Sequence, residues 1–238
     1  MKRRIVFIIS LTIIILALCG CWDRIEIEKN AFILGIGIDI GEEDTLKVTY
    51  QIALPEAMQG GGGQVEEGGG DSESSTLNIT IQGDSLKITE QILMSNIDRY
   101  PNYDHLKVIV FGEELSRQGL AEHIDFLFRN PQSRRLTKVV VCEGEAEKVF
   151  QIQPKTTKST AQYIDYLLED NSKHTLGIIS SVDLTGLEGR FLNKTGFALS
   201  KLTTKKDTID IQGAGLFKAD QLLGWLTSDE VSAIKWIS

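Results

Sequence analysis

The strongest constraint on this chain stands at its amino terminus. Lys2, Arg3 and Arg4 precede Ile5 to Leu18, fourteen residues interrupted only by Ser10 and Thr12. A basic cap followed by an apolar run of this length has the form of an export signal, and it is shorter than the ~20 residues that a membrane-spanning helix needs. Trp22, Asp23 and Arg24 turn polar at once, which argues against a continued span. Residues 1–20 are therefore expected to be removed, and the remainder to fold outside the cytoplasm. Lys2, Arg3 and Arg4 leave with that segment and no acid does, so a net charge of −8 becomes −11. Such acidity speaks against electrostatic binding to nucleic acid or to anionic lipid headgroups.

Something other than surface charge must then hold the protein at a membrane. Leu18-Cys19-Gly20-Cys21 resembles the bacterial lipobox, with an aliphatic residue three positions before the cysteine and a small one immediately before it. Cys19 departs from the usual small residue at its position. The resemblance implies that Cys21 gains a diacylglyceryl thioether and becomes the mature amino terminus. Each buried CH₂ contributes ~0.8 kcal/mol, so two or three acyl chains anchor stably where one would not. Of the three cysteines only Cys142 then remains, and no internal disulfide is expected. Its neighbours Val139, Val140 and Val141 point to a buried strand thiol.

Beyond Cys21 the pattern alternates between strand and helix. Residues 32–40 read as a strand, Gly41 to Asp44 as a turn, and Leu46 to Leu54 as a second strand forming a hairpin with the first. Gly60–Gly63 and Gly68–Gly70 flank Glu66 and Glu67 in a Gly-rich loop at 60–70, which lacks the Gly-Lys-Ser/Thr ending of a phosphate-binding loop. Thr76 to Gly83 resumes as a strand. Asp84 or Ser85 caps a helix carrying Ile88, Ile92, Leu93 and Ile97, which Pro101 stops. Further strands are expected at Leu106–Phe111, Leu136–Cys142, Thr195–Leu199 and Ile209–Phe217. Helices are expected around Leu120–Phe128, at Ala146–Phe150 and at Ser159–Leu168, with loop and short turns over 170–195. A hairpin of Gly215–Lys218 with Leu222–Leu226 precedes a helix capped by Thr227 or Ser228. The class is α+β, or mixed α/β, with mixed sheets and packed helices. The last helix reads as the opening of a further domain: 21–200 would form the amino-terminal domain and 201–238 the truncated start of the next.

No catalytic constellation emerges. His105, His123 and His174 lack ligand-like spacing, and neither a His-Glu-x-x-His motif nor a Gly-x-Ser-x-Gly elbow is present. Catalytic residues, cofactor and metal are thus all expected to be none. Gly35 and Gly37 lack the third glycine and helix of a dinucleotide fingerprint, and glycines in a strand more often permit close backbone approach or a bulge. Arg129, Arg134, Arg135 and Lys138 are expected on a solvated turn rather than in an anion site. Asp165, Glu169 and Asp170 are expected on the exposed face of a helix, and Trp225 and Trp236 in the core.

Several segments together carry a family resemblance. Cys21-Trp22-Asp23-Arg24-Ile25-Glu26-Ile27-Glu28, leading into Ala31 to Asp39, resembles the mature start of the Ger(x)C spore germination lipoproteins. His105 to Leu115, Gly119-Leu120, Asp125 to Asn130, Gly215 to Lys218 and Gly224-Trp225-Leu226 follow in the same order. The Gly-rich loop departs from the family as a local insertion. The resemblance implies a non-catalytic C subunit of a nutrient germinant receptor, a longer, three-domain mixed α/β lipoprotein. It would stand on the outer face of the spore inner membrane beside two integral membrane subunits of A and B type. It leaves direct germinant binding open and carries over no catalytic residue. The alternative from another class is a lipid-anchored solute-binding protein of the cell envelope.

Overall fold

The computed structural model describes residues 3–5, 7, 29–54, 75–130, 132–174 and 177–237. Cys21 and the Gly-rich loop at 60–70 lie outside the described residues, as do nearly all of residues 1–20 and the side chains of Asp170, His174 and Trp236. The chain divides into two compact units, Met1–Asn30 and Ala31–Ser238. In the first, residues 3–5 and 7 are helical. Among the described residues no helix is long and apolar enough to cross a membrane.

The second unit is built on one ten-stranded mixed sheet. Its chain order is β1 (Asn30–Ile40), β2 (Leu46–Ala53), β3 (Thr76–Gly83), β4 (Tyr100–Asn102), β5 (Val108–Phe111), β6 (Lys138–Cys142), β7 (Val182–Asp183), β8 (Phe197–Lys205), β9 (Thr208–Lys218) and β10 (Gln221–Leu226). In space the order is β10-β9-β8-β6-β5-β1-β2-β3, with β4 on β1 and β7 on β6. The central strands β1, β5, β6 and β8 are mutually parallel, and antiparallel hairpins extend the sheet on both sides. The fold is mixed α/β.

Alternation along the central strands assigns the layers. Ile109, Phe111, Val139 and Val141 face one apolar cluster, while Val108, Val110, Val140 and Cys142 face the other. Such strands, buried on both faces, read as continuous apolar runs, as parallel strands do. The first cluster is closed by α1 (Leu86–Asn96), α2 (Glu113–Gln118), α3 (Ala121–Arg129) and α6 (Leu184–Asn193). The second is closed by α4 (Ala146–Gln151) and α5 (Thr160–His174). The last helix, α7 (Ser228–Ile237), buries Val231.

The expected β1–β2 hairpin is present, with Glu43 and Asp44 at positive φ in its turn. Ser85 is the cap of α1, its Oγ accepting from Ile88 N at 3.3 Å. Two expectations change. The stretch 170–195 is not mainly loop: α5 runs on to His174, and Leu184–Asn193 forms α6. Asp183 caps α6 through Gly186 N at 2.7 Å, only Leu184 and Leu187 are deeply buried, and Gly186 and Gly189 weaken the helical signal. Strand β8 extends six residues past Leu199 to Lys205. The position expected to separate two domains, 200/201, falls inside that strand.

Candidate functional site

The carboxyl ends of β1, β5 and β6 converge on a recess of about 370 Å³ lined by Asp39, Ile40, Glu113, Glu114, Arg117, Gly144 and Glu145. This end of a parallel sheet is where open α/β folds place ligands. Asp39 is the lone charge in an apolar strand and is 3% exposed. Its Oδ1 accepts from Ala146 N at 2.7 Å and its Oδ2 from Glu147 N at 2.9 Å, so the carboxylate closes the first turn of α4. Burial raises its pKa, against the lowering effect of those two hydrogen bonds and of nearby Lys47. Gly112 is obligatory beside it, since a Cβ there would fall 2.0 Å from Asp39 Oδ1. Lys47 also bridges Glu145 at 3.0 Å and Glu147 at 3.1 Å.

Glu113 joins α2 to β10 and to the loop after β6. Its Oε1 accepts from Arg117 Nη2 at 2.8 Å and from Trp225 Nε1 at 3.3 Å, and its Oε2 accepts from Gly144 N at 3.2 Å. Burial pushes its pKa up, yet the Arg117, Gly144 and Trp225 hydrogen bonds outweigh that and hold it below the ordinary glutamate value. Lys201 stands 5.5 Å from the Trp225 ring centre and 3.6 Å from Glu143. Both acids are thus engaged by internal donors. The arrangement fixes strand ends and loops; it pairs neither carboxylate with a nucleophile or base. A second recess, of about 470 Å³, lies between the α4 end and the β8–β9 turn, lined by Lys148, Gln151, Gln153, Lys155 and Lys206 among others.

The residues singled out in the sequence go to different places. The basic group does not assemble. Arg129 pairs with Asp125 at 2.8 Å, Arg135 pairs with Glu188, and Lys138 turns inward to Asp165 at 3.1 Å and Glu169 at 3.2 Å. Asp165 corrects the expectation of an exposed face: it is 8% exposed, held between Lys138 and Lys107. Cys142 is buried as expected, and burial pushes its thiol pKa well up, which suppresses the reactive thiolate. His105 packs edge-on against Phe32 at 5.1 Å. Burial holds His123 below its ordinary pKa. No group of three potential metal ligands occurs among the described residues. Trp225 is half-buried and packs against the first apolar cluster, as expected of a core side chain. Sequence reasoning missed Asp39 and Glu113 because their partners lie far along the chain; the single charge inside Phe32–Ile40 was the available signal.

A family model described as the spore germination protein N-terminal domain matches residues 23–204. The chain belongs to this Ger(x)C family. Over 233 residues the Ger(x)C chain is 29% identical to spore germination protein B3 of Bacillus subtilis (strain 168), covering 94% of this chain and 58% of that protein. It is 28% identical to the protein YfkR of the same strain over 98% of this chain and 61% of that one. For spore germination protein A3 of that strain the identity is 24%, over 97% and 60%. The chain spans about three fifths of the length of these curated relatives. The crystal structure of the GerBC protein is similar with a TM-score of 0.46 and 20% identity, covering 85% of this chain and 55% of that one.

Proposed function

We propose that this chain acts in spore germination as a non-catalytic subunit of a nutrient receptor, held by lipid on Cys21 at the outer face of the spore inner membrane. It works there through contacts with integral membrane subunits of A and B type. One observation carries the reading: the spore germination domain begins at residue 23, two positions after the cysteine of the lipobox-like segment. An acyl anchor on Cys21 would therefore stand two positions before the stretch that matches the germination domain, and the receptor partners are met at the membrane surface. The non-catalytic role is supported by the engagement of Asp39 and Glu113 in internal hydrogen bonds.

Mass spectrometry of the protein extracted from membranes tests the anchor. The reading expects an amino-terminal peptide that begins at Cys21 and carries a diacylglyceryl adduct, together with a Cys21→Ala protein that leaves the membrane fraction. An unmodified Cys21 peptide, with the Cys21→Ala protein still firmly membrane-bound, would overturn the lipid anchor.

A further inference from the structure

The two outer strands of the sheet differ in how they are protected. Strand β10 carries a bulge between Leu222 and Gly224 and is tied to α2 through Gln221 to Gln118 O and Trp225 to Glu113. Strand β3 pairs with β2 over its full eight residues with no register shift. It contains no charge and no proline. Among the described residues no strand pairs with its other side. Long, regular, uncharged edges are templates for a further strand, and proteins ordinarily blunt them with lysine, proline or a bulge.

The backbone groups that face outward can be identified. Leu54 N donates to Ser75 O at 3.0 Å, in the same register that pairs β2 with β3. Hydrogen-bonded pairs alternate in an antiparallel ladder, so odd-numbered residues of β3 bond to β2. Asn78, Thr80 and Gln82 therefore direct their N–H and C=O groups away from the sheet. The side chains alternate as well. Leu77, Ile79 and Ile81 lie on the α1 side, where Leu77 is 45% exposed and Ile88 of α1 is 39% exposed. Ile88 stands over the end of the strand, its Cγ2 3.1 Å from where a Cβ on Gly83 would be. Asn78, Thr80 and Gln82 form an uncharged polar row on the opposite face. The carboxylate beside that row, Glu147, bonds Thr80 Oγ1 at 3.1 Å and is offset by Lys47 at 3.1 Å.

An incoming strand must then be uncharged, with apolar residues at alternate positions toward α1 and polar residues opposite. β3 itself meets that specification. We propose that two copies of this chain pair antiparallel through β3, about a twofold axis normal to the sheet at Thr80. That axis keeps corresponding faces on the same side and reverses strand direction, so the interface is self-complementary. Thr80 faces Thr80 of the second copy, Asn78 faces Gln82, and Ile79 faces Ile81. The outward-facing backbone groups of Asn78, Thr80 and Gln82 are satisfied, and the sheet runs on through the dimer while the exposed Leu77 and Ile88 are brought into the α1–α1 seam.

Disulfide trapping of the full chain in mild detergent tests this pairing. Facing Cα atoms of a hydrogen-bonded antiparallel pair stand ~5.5 Å apart, within the roughly 4.4–6.8 Å that a disulfide spans. Thr80→Cys is expected to give a covalent dimer on oxidation, well above the baseline set by the wild-type chain and by Lys218→Cys. Adding Leu77→Lys should lower the trapped fraction by about tenfold with unchanged circular dichroism, because a charge then enters the seam. Absence of dimer from a folded Thr80→Cys chain whose thiol is freely alkylated would overturn the proposal, as would equal trapping at Lys218→Cys. Trapping of Thr80→Cys onto a different polypeptide, and not onto itself, would give the edge to a partner strand and equally overturn self-pairing.

Discussion

Gly35 and Phe150 share one space: a Cβ on residue 35 would lie 2.6 Å from Phe150 Cε1 and 2.8 Å from Ala161 Cβ. Gly37 repeats the arrangement two residues on, where a Cβ would meet Phe150 at 3.1 Å and Ala146 Cβ at 3.2 Å. The two glycines form a groove in β1 that receives the Phe150 ring, and this sets how closely α4 and α5 approach the sheet. The register shift between Ile33 and Gly35 lies at the same place.

Gly35→Ala is therefore expected to destabilise the chain by about 1–3 kcal/mol, the usual cost of overpacking a filled core. Phe150→Leu opens space at the point of collision, so the double variant should be more stable than the sum of the two single losses predicts. A coupling of about 1 kcal/mol or more, read from urea unfolding of the four proteins, is the expected outcome. Strict additivity would contradict the shared-space account.

The Asp165 cluster makes a second prediction. Lys138 has a side chain only 12% exposed, and Asp165 holds it together with Lys107. Asp165→Ala leaves the largely buried Lys138 facing the more exposed Glu169, at 3.2 Å, in place of two acids, so it should cost about 1–3 kcal/mol. The Arg129–Asp125 pair has an arginine side chain 80% exposed, and Arg129→Ala should change stability by less than about 1 kcal/mol. Thermal unfolding of both variants checks the contrast; similar losses would show that Asp165 is solvated in the folded protein.

Glu113 provides a pH dependence. Its folded pKa lies below its ordinary value, so the native state binds the proton less tightly than the unfolded chain does. The stability it contributes is present above the unfolded pKa and is lost as pH falls through the folded one. Glu113→Gln removes that contribution. The melting-temperature gap between wild type and variant should be widest near neutral pH and should narrow on acidification below the ordinary glutamate range. A gap independent of pH would assign the loss to packing against Trp225 instead of to the charge.

Much of the fold could be read from local pattern, and the reasons are specific. Strand β1 is apolar enough to show itself, Ser85 is a well-placed cap, and Val139–Cys142 reads as a buried strand because both its faces are covered. Helix α6 escaped because its two glycines lower helix propensity and its cap, Asp183, ends a two-residue strand. Asp165 was read as exposed because acids on a helix usually face water. Its burial depends on Lys107, just before β5, and Lys138 of β6, which lie 58 and 27 residues away in sequence. The Asp39 and Glu113 sites failed for the same reason: Asp39 bonds backbone 107 residues on, and Glu113 meets Trp225 112 residues on. Local periodicity carries no information about such pairs. The Ger(x)C likeness was legible from residue identity around Cys21 and Phe32–Asp39, and the family match over 23–204 agrees with it.

The proposed role in nutrient-triggered germination depends on the anchored chain. The most direct measurement is dipicolinic acid release from spores of the native host, comparing the wild type, a deletion of this gene, and the deletion complemented with Cys21→Ala. The deletion is expected to lose the response to a particular nutrient while still germinating with non-nutrient triggers, and Cys21→Ala is expected not to restore it. Normal release across a nutrient panel, in spores also lacking the gene's paralogues, would contradict it.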